Sequence, residues 1–179
     1  MNAPLVLDHE ITAVVEVVVK RTITFMREQL DMRPQGVERH EGSPESLRLR
    51  DITAIVGVGS KAGLYVAFSY DDRLIRAMMK RYTADLAVAP DEEELYVQET
   101  AADIVNVIVG NCTADLSQRP EPVSLSPPVL MVGARTISGS PGTTVAALTL
   151  QLDEGRLDLA FVGPRVMFDE RLNFLGGIL

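Results

Sequence analysis

The chain has 179 residues, 46% of them apolar and 23% charged, which suits one domain with a buried core and leaves little room for two. Its 25 acids against 17 Lys+Arg give a formal charge of −8, the wrong sign for a protein that gains affinity by neutralising nucleic-acid phosphates or an anionic membrane surface. One cysteine, Cys112, and two histidines, His9 and His40, supply neither an internal disulfide nor a zinc-finger ligand set, and little material for a Ser/His/Asp triad.

The opening MNAPLVLDHE has no basic n-region and does not read as a signal peptide. Glu16 and Lys20 interrupt the only run that approaches membrane-spanning length. The expectation is a soluble, cytoplasmic protein. Residues 11–26 are β-branched, as strands prefer, yet their length and polar interruptions predict a helix ending before Arg33-Pro34. Residues 33–50 predict a short exposed strand and a loop. DITAIVGVGS and GLYVAFSY, joined near Lys61-Ala62-Gly63, predict a hairpin. Leu74, Ile75, Met78 and Met79 fall at helical spacing behind an acidic start, which predicts a short amphipathic helix over 71–83.

The segment 91–118 predicts the longest helix, with Asp91 as cap and Glu94 as its reciprocal partner. Four prolines in 120–128 predict an extended connector into the strand VLMVGARTI. TVAALTLQL and RLDLAFVG flank Asp153-Glu154-Gly155 as a second hairpin. The order α-β-β-β-α-α-β-β-β gives an α+β domain over 1–164, with helices on one face of a largely antiparallel sheet. Residues 165–179 hold Phe168, Leu172, Phe174, Leu175, Ile178 and Leu179. So apolar an extension is expected to pack on the domain or on a second subunit.

Several short patterns resemble chemistry without its context. GVGSKAG looks like a dinucleotide fingerprint, but a strand follows where a phosphate-binding helix belongs. His9-Glu10 begins like a zincin helix, but Ala13 stands where the second histidine would be. Ser140 lies in SGSPG, one residue off a nucleophile elbow. Cys112 sits on the apolar side of its helix and reads as a small buried hydrophobe.

The stretch QETAADIVNVIVGNCTADL is different. At about 100° per residue, Glu99, Asp103, Asn106 and Gly110 fall within roughly 60° of arc, and Val97, Ala101, Ile104, Val105, Ile108 and Cys112 cover the opposite side. A merely solvated stripe usually carries good helix formers, whereas Asn and Gly are poor ones. Either this is ordinary drift of a helix surface with a packing glycine, or Gly110 lets another backbone come near beside a short acid and an amide.

Through that helix, the chain resembles the CheX/CheC class of chemotaxis phosphatases. The likeness rests on D-I-V-N followed by V-I-V-G-N after an acidic helix start. It extends over about residues 5–164, through the first hairpin, the Leu125-Ser126-Pro127-Pro128-Val129 strand entry and the closing hairpin. Only one acid-x-x-Asn helix is present, as in the single-site CheX type. The resemblance implies a CheX-like fold and hydrolysis of the phosphoryl-aspartate of a CheY-like response-regulator receiver. In that mechanism Asn106 would position the attacking water, and Asp103, where the family usually has glutamate, would pair with a receiver lysine. Glu99 and Gly110 would lie at the docking surface. It implies no cofactor of this chain's own, Mg²⁺ on the receiver, and a homodimer. The alternatives are a CheX-like module that binds its partner without catalysis, or a structural domain.

Overall fold

The structure, a computed structural model, describes residues 5–43, 47–59, 63–119, 123–137 and 139–164, with side chains from Ile11 onward. Three helices, α1 (Leu5–Leu30), α2 (Asp72–Tyr82) and α3 (Glu93–Ser117), accompany seven strands. These are β1 (Gly36–Gly42), β2 (Ile52–Gly59), β3 (Tyr65–Tyr70), β4 (Ser124–Leu125), β5 (Val129–Val132), β6 (Thr143–Leu152) and β7 (Gly155–Pro164). The expected α+β order is found, with two-residue β4 added inside the proline-rich connector. The predicted extension 165–179 lies outside the described residues.

All strand pairs are antiparallel, in the order β1-β6-β7-β3-β2-β4, with β5 also on β2. Alternation along the strands sends Ala54, Val56, Phe68, Tyr70, Leu150, Leu157, Leu159 and Phe161 into one core with all three helices. The helices therefore cover one face, as the sequence implies. The β6–β7 turn closes with Leu152 paired to Gly155. Gly155 has φ +147°, and a Cβ there would stand 3.1 Å from Leu74 Cβ, so glycine lets the hairpin touch the start of α2.

Helix α1 forms despite its β-branched residues because Val14, Val15, Val18 and Val19 bury one face. It stops where Asp31 turns left-handed at φ 49°. The carbonyls of its last residue, Leu30, and of Asp31 just beyond it accept from Arg81 Nη1 on α2 at 2.9 and 2.8 Å. A cation thus meets the negative helix end.

The opposite sheet face is buried in part. Ala67, Val145, Ala147, Ala160 and Val162 form a second, smaller cluster, with Leu47 and Ile55 against it. At one end of that face lies a polar row: Thr53 faces Ser69, Ser69 faces Asp158, and Asp158 faces Thr149. The Thr53 and Ser69 hydroxyls lie 2.7 Å apart, and Thr149 Oγ1 donates to Asp158 Oδ1 at 2.6 Å. Arg50 closes the row, donating to Asp71 Oδ1 at 2.7 Å and Asp158 Oδ1 at 3.0 Å.

Candidate functional site

Helix α3 is pinned at both ends. At its start the expected cap is not found. The cap position is Glu92, helical in backbone and without a side-chain hydrogen bond. Arg76 of α2 takes the acids instead, with Nη2 donating to Glu94 at 2.6 Å and Nη1 to Glu93 at 3.3 Å, while its Nε bonds Asp72 at 2.9 Å. A guanidinium holding several carboxylates outcompetes a capping box, and the acids still oppose the positive helix end. Near the other end, Arg21 Nε of α1 donates to Asp115 Oδ2 at 2.7 Å.

The Arg21 bond holds the Asp115 carboxyl below its ordinary value of 3.8. The pair therefore contributes stability that is fully present above that value and is lost as pH falls through the lowered one. Both side chains are about a third exposed, so Asp115→Asn should cost under about 1 kcal/mol at pH 7. That difference should shrink below about pH 4 in acid-denaturation curves.

Between the pins, Val97, Ala101, Ile104, Val105, Ile108 and Cys112 are all buried. Each large apolar side chain contributes on the order of 1.5–3 kcal/mol by leaving water. Cys112 belongs to this packing: burial pushes its thiol up to about 12. It should stay unmodified by iodoacetamide at pH 8 in the folded protein and react once urea unfolds it.

Glu99, Asp103, Asn106 and Gly110 are all exposed. They follow one another along the outer side of α3 over roughly 16 Å of helix, at 1.5 Å per residue. Of the five acids on α3, Glu93 and Glu94 are tied to Arg76 and Asp115 to Arg21, whereas Glu99 and Asp103 engage no partner within the described residues. Asn106 has none either. A Cβ built on Gly110 meets nothing within 4 Å. The glycine therefore packs against none of the described residues. Its cost in helix propensity has no return inside the described chain.

Two neighbours were not singled out from sequence. Leu95, one turn before Glu99, is 56% exposed, and Val107, beside Asn106, is 41% exposed. The same helical arc locates Leu95; nothing in the pattern sets Val107 apart from buried neighbours. Among the described residues, no group of three His, Cys, Asp or Glu side chains is placed to hold a metal, and no helix is long and apolar enough to cross a membrane. Gly57–Gly59 of GVGSKAG end β2, and antiparallel β3 follows from Tyr65, the hairpin context, while the Ser140 carbonyl accepts a turn hydrogen bond from Thr143 N–H at 3.0 Å.

A helix that buries one side and offers unpaired acids, an amide and a bare glycine on the other belongs here to an α+β domain with its helices on one face of an antiparallel sheet. More particularly, residues 52–148 match the model of the chemotaxis phosphatase CheX family, and the chain belongs to that family. No curated protein matches it. Among solved structures it is similar to a chemotaxis protein CheX from Desulfovibrio desulfuricans, at 16% identity and TM-score 0.68, covering 84% of this chain and 98% of that one. It is similar to a chain of the CheX-CheY-BeF3-Mg²⁺ complex from Borrelia burgdorferi, at 16% identity and TM-score 0.61, covering 84% and 97%. A chain of the FliM-SpeE complex from H. pylori shares the fold at 10% identity and TM-score 0.55, covering 95% and 94%.

Proposed function

We propose that the protein is a phosphatase for the phosphoryl-aspartate of a CheY-like receiver, acting through the exposed stripe of α3. The observation that carries this reading is the unpaired set Glu99, Asp103, Asn106 and Gly110 on a helix whose other acids are all held by arginines. The solved relative from Borrelia burgdorferi bound to CheY, BeF3 and Mg²⁺ supports the partner class. Asn106 orients the attacking water in line with phosphorus, and the Asp103 carboxylate pairs with a cation of the receiver. Glu99 and Gly110 belong to the docking surface, Gly110 by letting the receiver's backbone come close. The metal needed to neutralise phosphoryl charge, Mg²⁺, sits on the receiver, so positioning is what this chain contributes.

In the same reading the protein works in the cytoplasm, where a lone thiol such as Cys112 stays reduced, and as a homodimer. The edge strands differ in fitness for self-pairing. Edge strand β1 carries exposed Glu38, Arg39, His40 and Glu41, which blunt it, whereas β5 leaves Val129 66% and Val132 54% exposed. The β5 edge is therefore the one expected to meet its two-fold mate.

A second reading, a binding module without catalysis, is favoured by one observation: Asp103 is one methylene shorter than the family's usual glutamate. Phosphate release from an acyl-phosphate-charged receiver, with and without the protein, decides. Faster release supports the phosphatase; binding without faster release leaves the module. Gly110→Ala tests the docking role separately. It should stabilise the fold by about 1 kcal/mol in urea titrations while weakening receiver binding. Unchanged binding would remove Gly110 from the docking surface.

A further inference from the structure

The outer sheet face, opposite α3, holds an apolar groove of about 570 Å³ that the proposed chemistry does not use. Ile55, Tyr65, Ala67, Ile137, Val162 and Pro164 line it, with glycines, Ser140 and Thr143 completing the wall. Among the described residues, no Asp, Glu, Lys, Arg or His lines it. Tyr65 is 53% exposed there.

We propose that residues 165–179 of the same chain fold back into this groove. The first argument is position. Pro164 lines the groove and is the residue from which the segment departs. Fifteen residues could span about 50 Å at roughly 3.3 Å each, yet the groove begins at their first peptide bond, so little loop must be closed.

The second is chemistry. The segment carries Phe168, Leu172 and Leu175 at i, i+4 and i+7, the spacing of one helix face. Its charges, Arg165 and Arg171 against Asp169 and Glu170, cancel. A neutral segment with an apolar stripe suits a groove whose described lining is apolar and uncharged. The third is concentration. A tethered segment meets its groove at an effective concentration of about millimolar, which a second molecule or a free apolar ligand must exceed. Docking on this face leaves the stripe of α3 open.

The test uses the full chain with Arg171→Cys carrying a nitroxide label, Cys112 being too buried to take one. In methyl NMR spectra, signals of Ile55, Ala67, Ile137 and Val162 should broaden, while Val107 and Ala114 on α3 should not. A mixture of isotope-free labelled protein with isotope-labelled unmodified protein should show no such broadening. Absence of broadening in the first sample would overturn the proposal, as would equal broadening in the mixture, which would make a second copy the occupant. Adding Phe168→Ser and Leu172→Ser should reduce the broadening at least fivefold; unchanged broadening would also overturn it.

Discussion

Asn106→Ala should lower receiver dephosphorylation on the order of 10²-fold without weakening receiver binding or the fold. The amide is exposed and engages no partner in the described chain, so its removal leaves no buried group unsatisfied. Alanine is the better helix former, so the variant should unfold at equal or slightly higher urea concentration. What it loses is the placement of one water, and positioning groups commonly carry losses of that size, about 2.7 kcal/mol of barrier. Asp103→Ala should divide its effects the other way. It removes half of an intermolecular charge pair, so binding should weaken and lose part of its salt sensitivity. Phosphate release under single turnover, with receiver affinity measured separately, distinguishes the two. Equal rates for parent and Asn106→Ala would sink the phosphatase reading and leave the binding module.

The largest stability effect is expected at Arg50, far from α3. Its guanidinium bridges Asp71 and Asp158, and Asp158 is 8% exposed and also accepts from Thr149. Arg50→Met leaves the buried Asp158 without its cation and Asp71 with only the more distant Arg156, at 3.8 Å. Breaking such a pair from one side costs about 3 kcal/mol or more. At this chain length that corresponds to a fall in Tm on the order of 10 °C. Arg50→Lys should recover only part, because a point charge cannot hold both carboxylates as a planar fork does. Adding Asp158→Leu to Arg50→Met should restore stability by removing the stranded charge. Thermal unfolding of the three variants is sufficient; an Arg50→Met protein as stable as its parent would show the row to be dispensable.

The helical face of α3 was legible in its sequence because periodicity reports directly which side is apolar, and Val97 through Cys112 are buried as that period requires. The first helix was legible against its composition: length and the spacing of Glu16, Lys20 and Arg21 outweighed a strand-like run of valines. Arg50 was not legible. Its partners lie 21 and 108 residues away, and no local pattern marks a register-dependent polar row. RLDLAFVG reads as one arm of a hairpin, and nothing local in it tells that Leu157 to Gly163 are all buried, Ala160 and Val162 in the second cluster with Leu47 against it. The start of α3 misled for a related reason. A capping box is a local device, and Arg76, 18 residues before Glu94, is a long-range competitor that sequence spacing does not reveal. At the stripe, Asn106 and Gly110 can be picked out by their poor helix propensity, but only the open space around Gly110 shows that none of the described residues packs on it.

That open space has an evolutionary consequence. Because the side chains of Glu99, Asp103 and Asn106 hold nothing together within the described chain, selection for a foldable protein does not protect them. Random substitution at Asn106 or Gly110 would more often firm the helix than loosen it. Left to drift, such a surface would move toward alanine, glutamate and lysine. Only an external demand can keep an asparagine and a bare glycine in mid-helix, and when that demand lapses the activity disappears while the fold remains. A lineage built on this scaffold can therefore shed its chemistry in one step and keep a stable body free for other partnerships.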